Sequence, residues 1–337
     1  MVDLKTSFAG LEIKNPIIVG ASNLVNSVDN LKLMEESGAA AIVYKSLFEE
    51  QIQLERLELD ENLNEYRERN AEMISLFPDI EHAGPSEHLM NLRLAKESVS
   101  IPVIASLNCV FTETWIDYAR QLQDTGIDAL ELNFFAIPKD FKFDGRDIVS
   151  QQLEIFKAVK NAVKIPISIK FSPFYANILN VIKQFDNEGA DSVVVFNRFL
   201  QPDIDIENEI HINSFQVSTP GESLLAMRYA GMLYRNIKAS ISCNGGIHSG
   251  KDIIKMILAG ADSVQVVSTL YKNKISYIKT LLSEITAWME ARKYKSLNDF
   301  KGKLSQAKVN NPFIYKRAQY IDILQKSSEI FKKYPLR

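Results

Sequence analysis

The stretch ALELNFFAIPKD, Ala129 to Asp140, begins as a buried strand and then places Glu131 and Asn133 two apart, on one face, where a core takes apolar side chains. Nothing acidic, basic or nucleophilic follows them until Lys139. Polar residues recur at the ends of other apolar runs: Ser22 and Asn23, Lys45 and Ser46, Asn108, Lys170 and Ser172, Asn197, Asn244, Ser268 and Thr269. Lys170 stands between Ile169 and Phe171. Desolvating an unpaired ammonium costs several kcal/mol, so Lys170 needs an anion, and Glu131 is a candidate. A structural ion pair accounts for any one of these residues; together they read as one ring around one site.

A second stretch, SCNGGIHSGKD (242–252), ends a strand on two glycines and opens a helix from about Lys251 after Ser249 and Gly250. Backbone N–H groups and a positive helix end exposed in this way suit a phosphate. The same pattern is also ordinary strand-to-helix punctuation. The chain has no GxGxxG, P-loop, HExxH or CxxC motif, which speaks against Rossmann nucleotide binding, phosphoryl transfer and structural zinc. Cys109 and Cys243 are far apart in apolar surroundings and support neither a disulfide framework nor a metal site.

The elements that must carry these residues are eight short apolar runs: 17–22, 40–46, 101–108, 129–135, 165–172, 192–197, 239–246 and 263–269. Amphipathic helical patterns lie between them, such as SVDNLKLMEESGA with Ser27 or Asp29 as N-cap and Gly38 as C-cap. The endings SGA, TGID, EGAD and AGAD mark helix stops before strands. Eight such units most economically form an α/β fold of the single (β/α)8 TIM-barrel type, with a doubly wound open sheet as the alternative. Residues 4–15, about Ala9-Gly10, predict a hairpin that plugs the bottom of the barrel. The barrel is expected over 1–293, with 294–337 as a C-terminal helical tail packed on it or extending from it. Long insertions after Ser46 and after Asn197 follow strand C-termini and should rise over the active-site face, as lids, substrate contacts or dimer contacts.

With 39 basic and 42 acidic residues mixed along the chain, the net charge of −3 offers no field for a nucleic acid. The N-terminus lacks the basic start and apolar run of a signal peptide, and no uncharged run reaches membrane-spanning length, so a soluble cytoplasmic protein with no membrane partner is expected.

The order F-GLEIKNPIIVGAS, YKS, ELNFF, SIKFSP, VVFN, CNGGIHSGKD and GADSVQVVSTL, from about Leu4 to Met289, resembles the dihydroorotate dehydrogenase family of FMN-containing barrels. The resemblance implies that Ala21 and Ser22 lie against the flavin and that Lys45 and Ser46 contact its ring system. It further implies a flavin contact at Asn108, a flavin–substrate bridge at Asn133, a catalytic role for Asn197, and a phosphate cradle of Gly221, Gly245, Gly246, Ser268 and Thr269. Lys170 matches the lysine that faces flavin N1 and the C2 carbonyl, where a cation would stabilise the negative charge of a reduced flavin.

The resemblance breaks where the substrate would sit. Where the family carries Glu-Leu-Asn, two further residues and then a cysteine or serine base, this chain has Ala136 at the base position, which cannot take a proton. The following substrate asparagine is absent, and Arg198 replaces a small hydroxyl residue, as if to meet an anionic group. Ser172, His82 and His88 are alternative bases. The expectation is an FMN oxidoreductase that moves hydride to or from a CH–CH bond of a dihydroorotate-like or other planar pyrimidine-type substrate. The alternatives are an aldolase-like barrel with a Schiff base at Lys170 and a flavin-binding protein without turnover. A homodimer is implied, and an NAD-linked route would need a separate electron-transfer partner, since no NAD fingerprint or iron–sulfur cysteine cluster occurs.

Overall fold

The computed structural model describes residues 2–53, 85–109, 111–134, 141–142, 144–199, 201–212, 215–316 and 318–335. Eight parallel strands close into a barrel: β3 (Ile17–Val19), β4 (Ala41–Phe48), β5 (Val103–Asn108), β6 (Ala129–Asn133), β7 (Ile167–Phe171), β8 (Ser192–Val195), β11 (Ser240–Asn244) and β12 (Ser263–Val266). Neighbours follow chain order around the ring, and β12 pairs with β3 to complete it. This is the (β/α)8 architecture that the alternation of apolar runs and helical patterns predicts.

Strand residues alternate between two cores. Ile17, Ile42, Val103, Leu130, Ile167, Val193 and Val264 pack with helix residues such as Leu31, Met34, Trp115, Phe156, Phe185 and Ile253. Their neighbours Ile18, Val43, Ile104, Ala129 and Val194 form a second cluster with Phe8 and Ile13. Those two belong to the predicted hairpin, β1 (Thr6–Phe8) and β2 (Leu11–Ile13), paired antiparallel. Ala9 and Gly10 both take positive φ, +50° and +77°, the turn that matches the twist of a two-residue hairpin. The Ala9 N–H donates to Ser240 Oγ at 2.9 Å, and Thr6 Oγ1 donates to the Asp262 carbonyl at 2.8 Å, which ties the hairpin to the strand starts.

The helices begin and stop where their caps dictate. Ser27 accepts from the Asn30 N–H to open α1 (Val28–Glu36), and Ser249 with Asp252 makes a reciprocal capping box on α7 (Gly250–Ala259). Most strands are shorter than the runs that predict them, β3 ending at Val19 and β8 at Val195, and two of the differences bear on the site. The run 263–269 is strand only to Val266; Val267 turns the chain, and Ser268 and Thr269 open the short helix α8 (Ser268–Asn273) instead of ending a strand. The run 129–135 is strand to Asn133, and residues 135–140 lie outside the described ones.

Of the first insertion, the described part includes α2 (Pro85–Ser98); residues 54–84 lie outside it. The second carries an exposed hairpin, β9 (Asp203–Asp205) with β10 (Ile210–Ile212), and leads into α6 (Ser223–Leu233). Helices α3 (Thr112–Gln123), α4 (Gly145–Ala162), α5 (Ile178–Asn187) and α9 (Tyr277–Ala291) complete the outer layer. After α9, Tyr294 stacks on Phe300 and Phe300 meets Trp288 edge-on, which anchors the C-terminal segment on the barrel before the short helices α10 (Ala318–Gln325) and α11 (Ser327–Lys333). No helix among the described residues is long and apolar enough to cross a membrane.

Candidate active site

Glu131, Lys170 and Gln265 stand on three different strands and meet inside the barrel near the strand C-termini. Lys170 Nζ lies 3.4 Å from Glu131 Oε1 and donates to Gln265 Oε1 at 3.1 Å. Gln265 Nε2 donates to Glu131 Oε2 at 2.6 Å. Glu131 is fully buried and Lys170 is 6% exposed, so the lysine has the anion that its burial requires. Gly20 is confined here too, because a Cβ on it would sit 2.9 Å from Val267 Cγ2 and 3.4 Å from Gln265 Cβ.

One step further along the strands, Asn133 is held by its neighbours. Asn108 Nδ2 donates to the Asn133 carbonyl at 2.9 Å, and Asn197 Nδ2 donates to Asn133 Oδ1 at 3.0 Å. Asn133 is also the register partner of Lys170. Asn244 Nδ2 donates to the Phe196 carbonyl at 2.8 Å. On the other side, Ser46 and Ser106 share a hydroxyl hydrogen bond of 2.7 Å, and the register of β4 shifts between Val43 and Ser46, beside Lys45. Ala21, Ser22, Lys45 and Ser46 are half-buried.

The Gly245-Gly246 turn meets the approach to α6. Gly246, at φ +67°, donates its N–H to Ser218 Oγ at 3.2 Å, and a Cβ on it would strike the Ser223 nitrogen at 2.4 Å. Gly245, at φ +92°, and Gly221 have no described residue within 4 Å of where a Cβ would stand. The Ser218 N–H donates to Ser268 Oγ at 3.0 Å, Lys272 Nζ donates to the Ser218 carbonyl at 3.2 Å, and His248 Nε2 lies 3.3 Å from Ser218 Oγ. Thr269 Oγ1 donates to the His248 carbonyl at 3.3 Å. Burial, with the nearby Lys272 ammonium, holds the His248 ring below its ordinary pKa. The cluster therefore gathers hydroxyls, backbone N–H groups and the Lys272 ammonium.

Other residues singled out from sequence have partners or surroundings of their own, or fall outside the described residues. His88 is on α2, packed edge-on against Tyr44 in the layer between strand and helix, with neither ring nitrogen hydrogen-bonded. Burial, with Lys45 nearby, pushes its pKa down to about 4. Ser172 Oγ accepts from the Phe174 N–H at 3.0 Å. Arg198 is taken up by the chain itself: its Nε donates to Glu222 Oε2 at 2.8 Å and its Nη1 to the Gln216 carbonyl. Ala136 and His82 lie outside the described residues. Burial pushes both cysteine thiols up, and no group of metal-ligating residues occurs among the described residues.

Gln265, Ser218 and Lys272 belong to these clusters although no motif marks them. Gln265 leaves a trace in the sequence, an amide in the middle of SVQVV where alternation places it on the inward face. Ser218 and Lys272 leave none, since loop serines and helix lysines are ordinary.

The dihydroorotate dehydrogenase family model matches residues 58–289. The catalytic subunit of dihydroorotate dehydrogenase B (NAD(+)) from Thermoplasma acidophilum is 27% identical, over 90% of this chain and 99% of its own. The protein of the same name from Methanocaldococcus jannaschii is 26% identical over 85% of this chain and 94% of its own. That from Methanocella arvoryzae is 30% identical over 78% and 86%.

Proposed function

The chain belongs to the dihydroorotate dehydrogenase family and is an oxidoreductase, and from that premise we propose that it binds one FMN in the barrel mouth and exchanges hydride with a planar, pyrimidine-type substrate. The observation that carries this reading is the buried Lys170 ammonium, set at the end of β7 beside the tied Asn133. The donor set suits the cofactor. Open space at Gly245 and Gly221, next to Gly246, Ser268 and Thr269, would take the phosphate, and Ala21, Ser22, Lys45, Ser46, Asn108 and Asn133 would line the ring system.

Bound there, FMN supplies a two-electron acceptor or donor. Lys170 would present positive charge to the ring, where it would stabilise the negative charge of the reduced form. Asn197 fixes the Asn133 amide by taking its Oδ1, so that the Asn133 Nδ2 is left to face ring or substrate. Removal of a proton from substrate carbon needs an acceptor, and alanine at 136 provides none. The substrate is therefore read as dihydroorotate or a relative of it that meets a different base.

Since the relatives are named as catalytic subunits linked to NAD(+), a separate electron-transfer partner is proposed, together with a homodimeric, cytoplasmic assembly. The redox family sets aside the Schiff-base reading of Lys170. A visible absorption spectrum of the purified protein with assay of released flavin tests the cofactor. One FMN per chain is expected, and a colourless protein that takes up no FMN by equilibrium dialysis ends the reading.

A further inference from the structure

We propose that Glu131 and Gln265 are positioning residues that set how strongly Lys170 acts on a flavin in the barrel mouth. This rests on the FMN reading above. Three facts carry it. Glu131 is fully buried and Gln265 is 1% exposed, against 6% for Lys170, so the carboxylate and the amide act on the mouth through the lysine. The contacts form a closed triangle, with Lys170 Nζ at 3.4 Å from Glu131 and 3.1 Å from Gln265 and the Gln265–Glu131 bond at 2.6 Å. The amide orientation is fixed by its partners, since reversing it would set the amide oxygen against a carboxylate and the NH2 against an ammonium.

A buried ion pair is weak support for stability, and apolar residues of similar volume commonly do as well or better. The triangle has a further consequence. A carboxylate this close cancels part of the field of the ammonium, and the amide draws Nζ away from the carboxylate by competing for it. The balance between those two acceptors sets the net positive charge that the mouth feels.

Replacing each acceptor should therefore move the flavin midpoint potential in opposite directions. Glu131→Gln removes the cancelling charge and should raise it. Gln265→Leu frees Lys170 to close on Glu131 and should lower it. Glu131→Asp keeps the charge and should leave the potential nearer to that of the wild type than Glu131→Gln does. Spectroelectrochemistry on the full chain reads all three, with flavin stoichiometry measured alongside. Unchanged potentials at full FMN occupancy would overturn the proposal, as would shifts of the same sign in Glu131→Gln and Gln265→Leu. If Glu131→Gln does not fold, the sign of the shift in Gln265→Leu decides. A wild-type protein without FMN would instead defeat the cofactor reading, a separate and recognisable outcome.

Discussion

The two ends of the barrel are built from the same strands and solve opposite problems. At the strand starts, Phe8 and Ile13 of the hairpin meet Ile18, Val43, Ile104, Ala129 and Val194, and the interior is closed by apolar contact. At the strand ends, the inward positions of β6, β7 and β12 carry Glu131, Lys170 and Gln265, tied to one another, and Asn133, tied to Asn108 and Asn197. Apolar packing is non-directional, so the plug loses stability roughly in proportion to what is removed. A buried polar network is directional, so removing one member changes what its neighbour can do. The bottom should therefore answer to mutation in stability, and the mouth in chemistry.

The largest effect that could break this contrast is at the plug. Phe8 is fully buried. Phe8→Ala should destabilise the fold by roughly 3–5 kcal/mol, the usual range for emptying an aromatic site in a core. Urea denaturation would show the loss, and the flavin spectrum of the folded fraction should stay as in the wild type. A variant of full stability but altered flavin spectrum would invert the assignment.

The next effect sharpens the contrast by using a titratable group outside the mouth. His88 is buried and neutral, with its pKa pushed down to about 4 by burial. In the unfolded chain a histidine takes its proton near pH 6.5, so below that the unfolded state binds more protons than the folded one. Stability from this site is thus present above about pH 6.5 and falls with pH until about 4, by roughly 2–3 kcal/mol at about pH 4.5. Denaturation midpoints of wild type and His88→Leu at about pH 7 and about pH 4.5 isolate that share from the carboxylates. An equal acid loss in both would show that His88 does not carry it.

Lys170→Met is the test within the mouth. It removes the cation and leaves the Glu131 carboxylate held by Gln265, and both changes oppose negative charge on a reduced ring. Reduction of bound FMN should become harder by roughly 1–3 kcal/mol, with little change in the fold. An unchanged midpoint potential would take Lys170 away from the flavin.

How much of this was legible before any coordinates follows the same division. The eight strands, their order and the plugging hairpin are written in local patterns, apolar runs and turn residues, and Ala9-Gly10 turns where the pattern places it. Strand ends are less legible, because Ser268 and Thr269 look like strand residues and fold as the start of a helix once Val267 turns. At the mouth, Lys170 and Glu131 stand out as charges within apolar runs. Gln265 is fainter, and the pairing of Arg198 with Glu222 links residues 24 apart that no local rule connects. Arg198 reads as an anion site in the sequence because its partner comes from the far side of a long insertion.

The smallest expected effect concerns Ala136, whose role rests on sequence. A missing general base typically removes roughly 10²- to 10⁴-fold in rate, so wild-type protein should reduce its flavin slowly or not at all with dihydroorotate. Ala136→Cys supplies a thiol at the position where the resemblance places the base. It should restore the rate only if the rest of the pocket still holds the ring. The family's substrate asparagine is absent, and Arg198, read from the sequence as a partner for an anionic group, is already engaged by Glu222 and Gln216. Little rescue is therefore expected, because a base without an oriented substrate has no proton within reach. Stopped-flow flavin reduction tests both parts. Fast reduction in the wild type would mean that another residue is the base. Strong rescue in the variant would mean that the mouth still fits dihydroorotate and had lost the base alone.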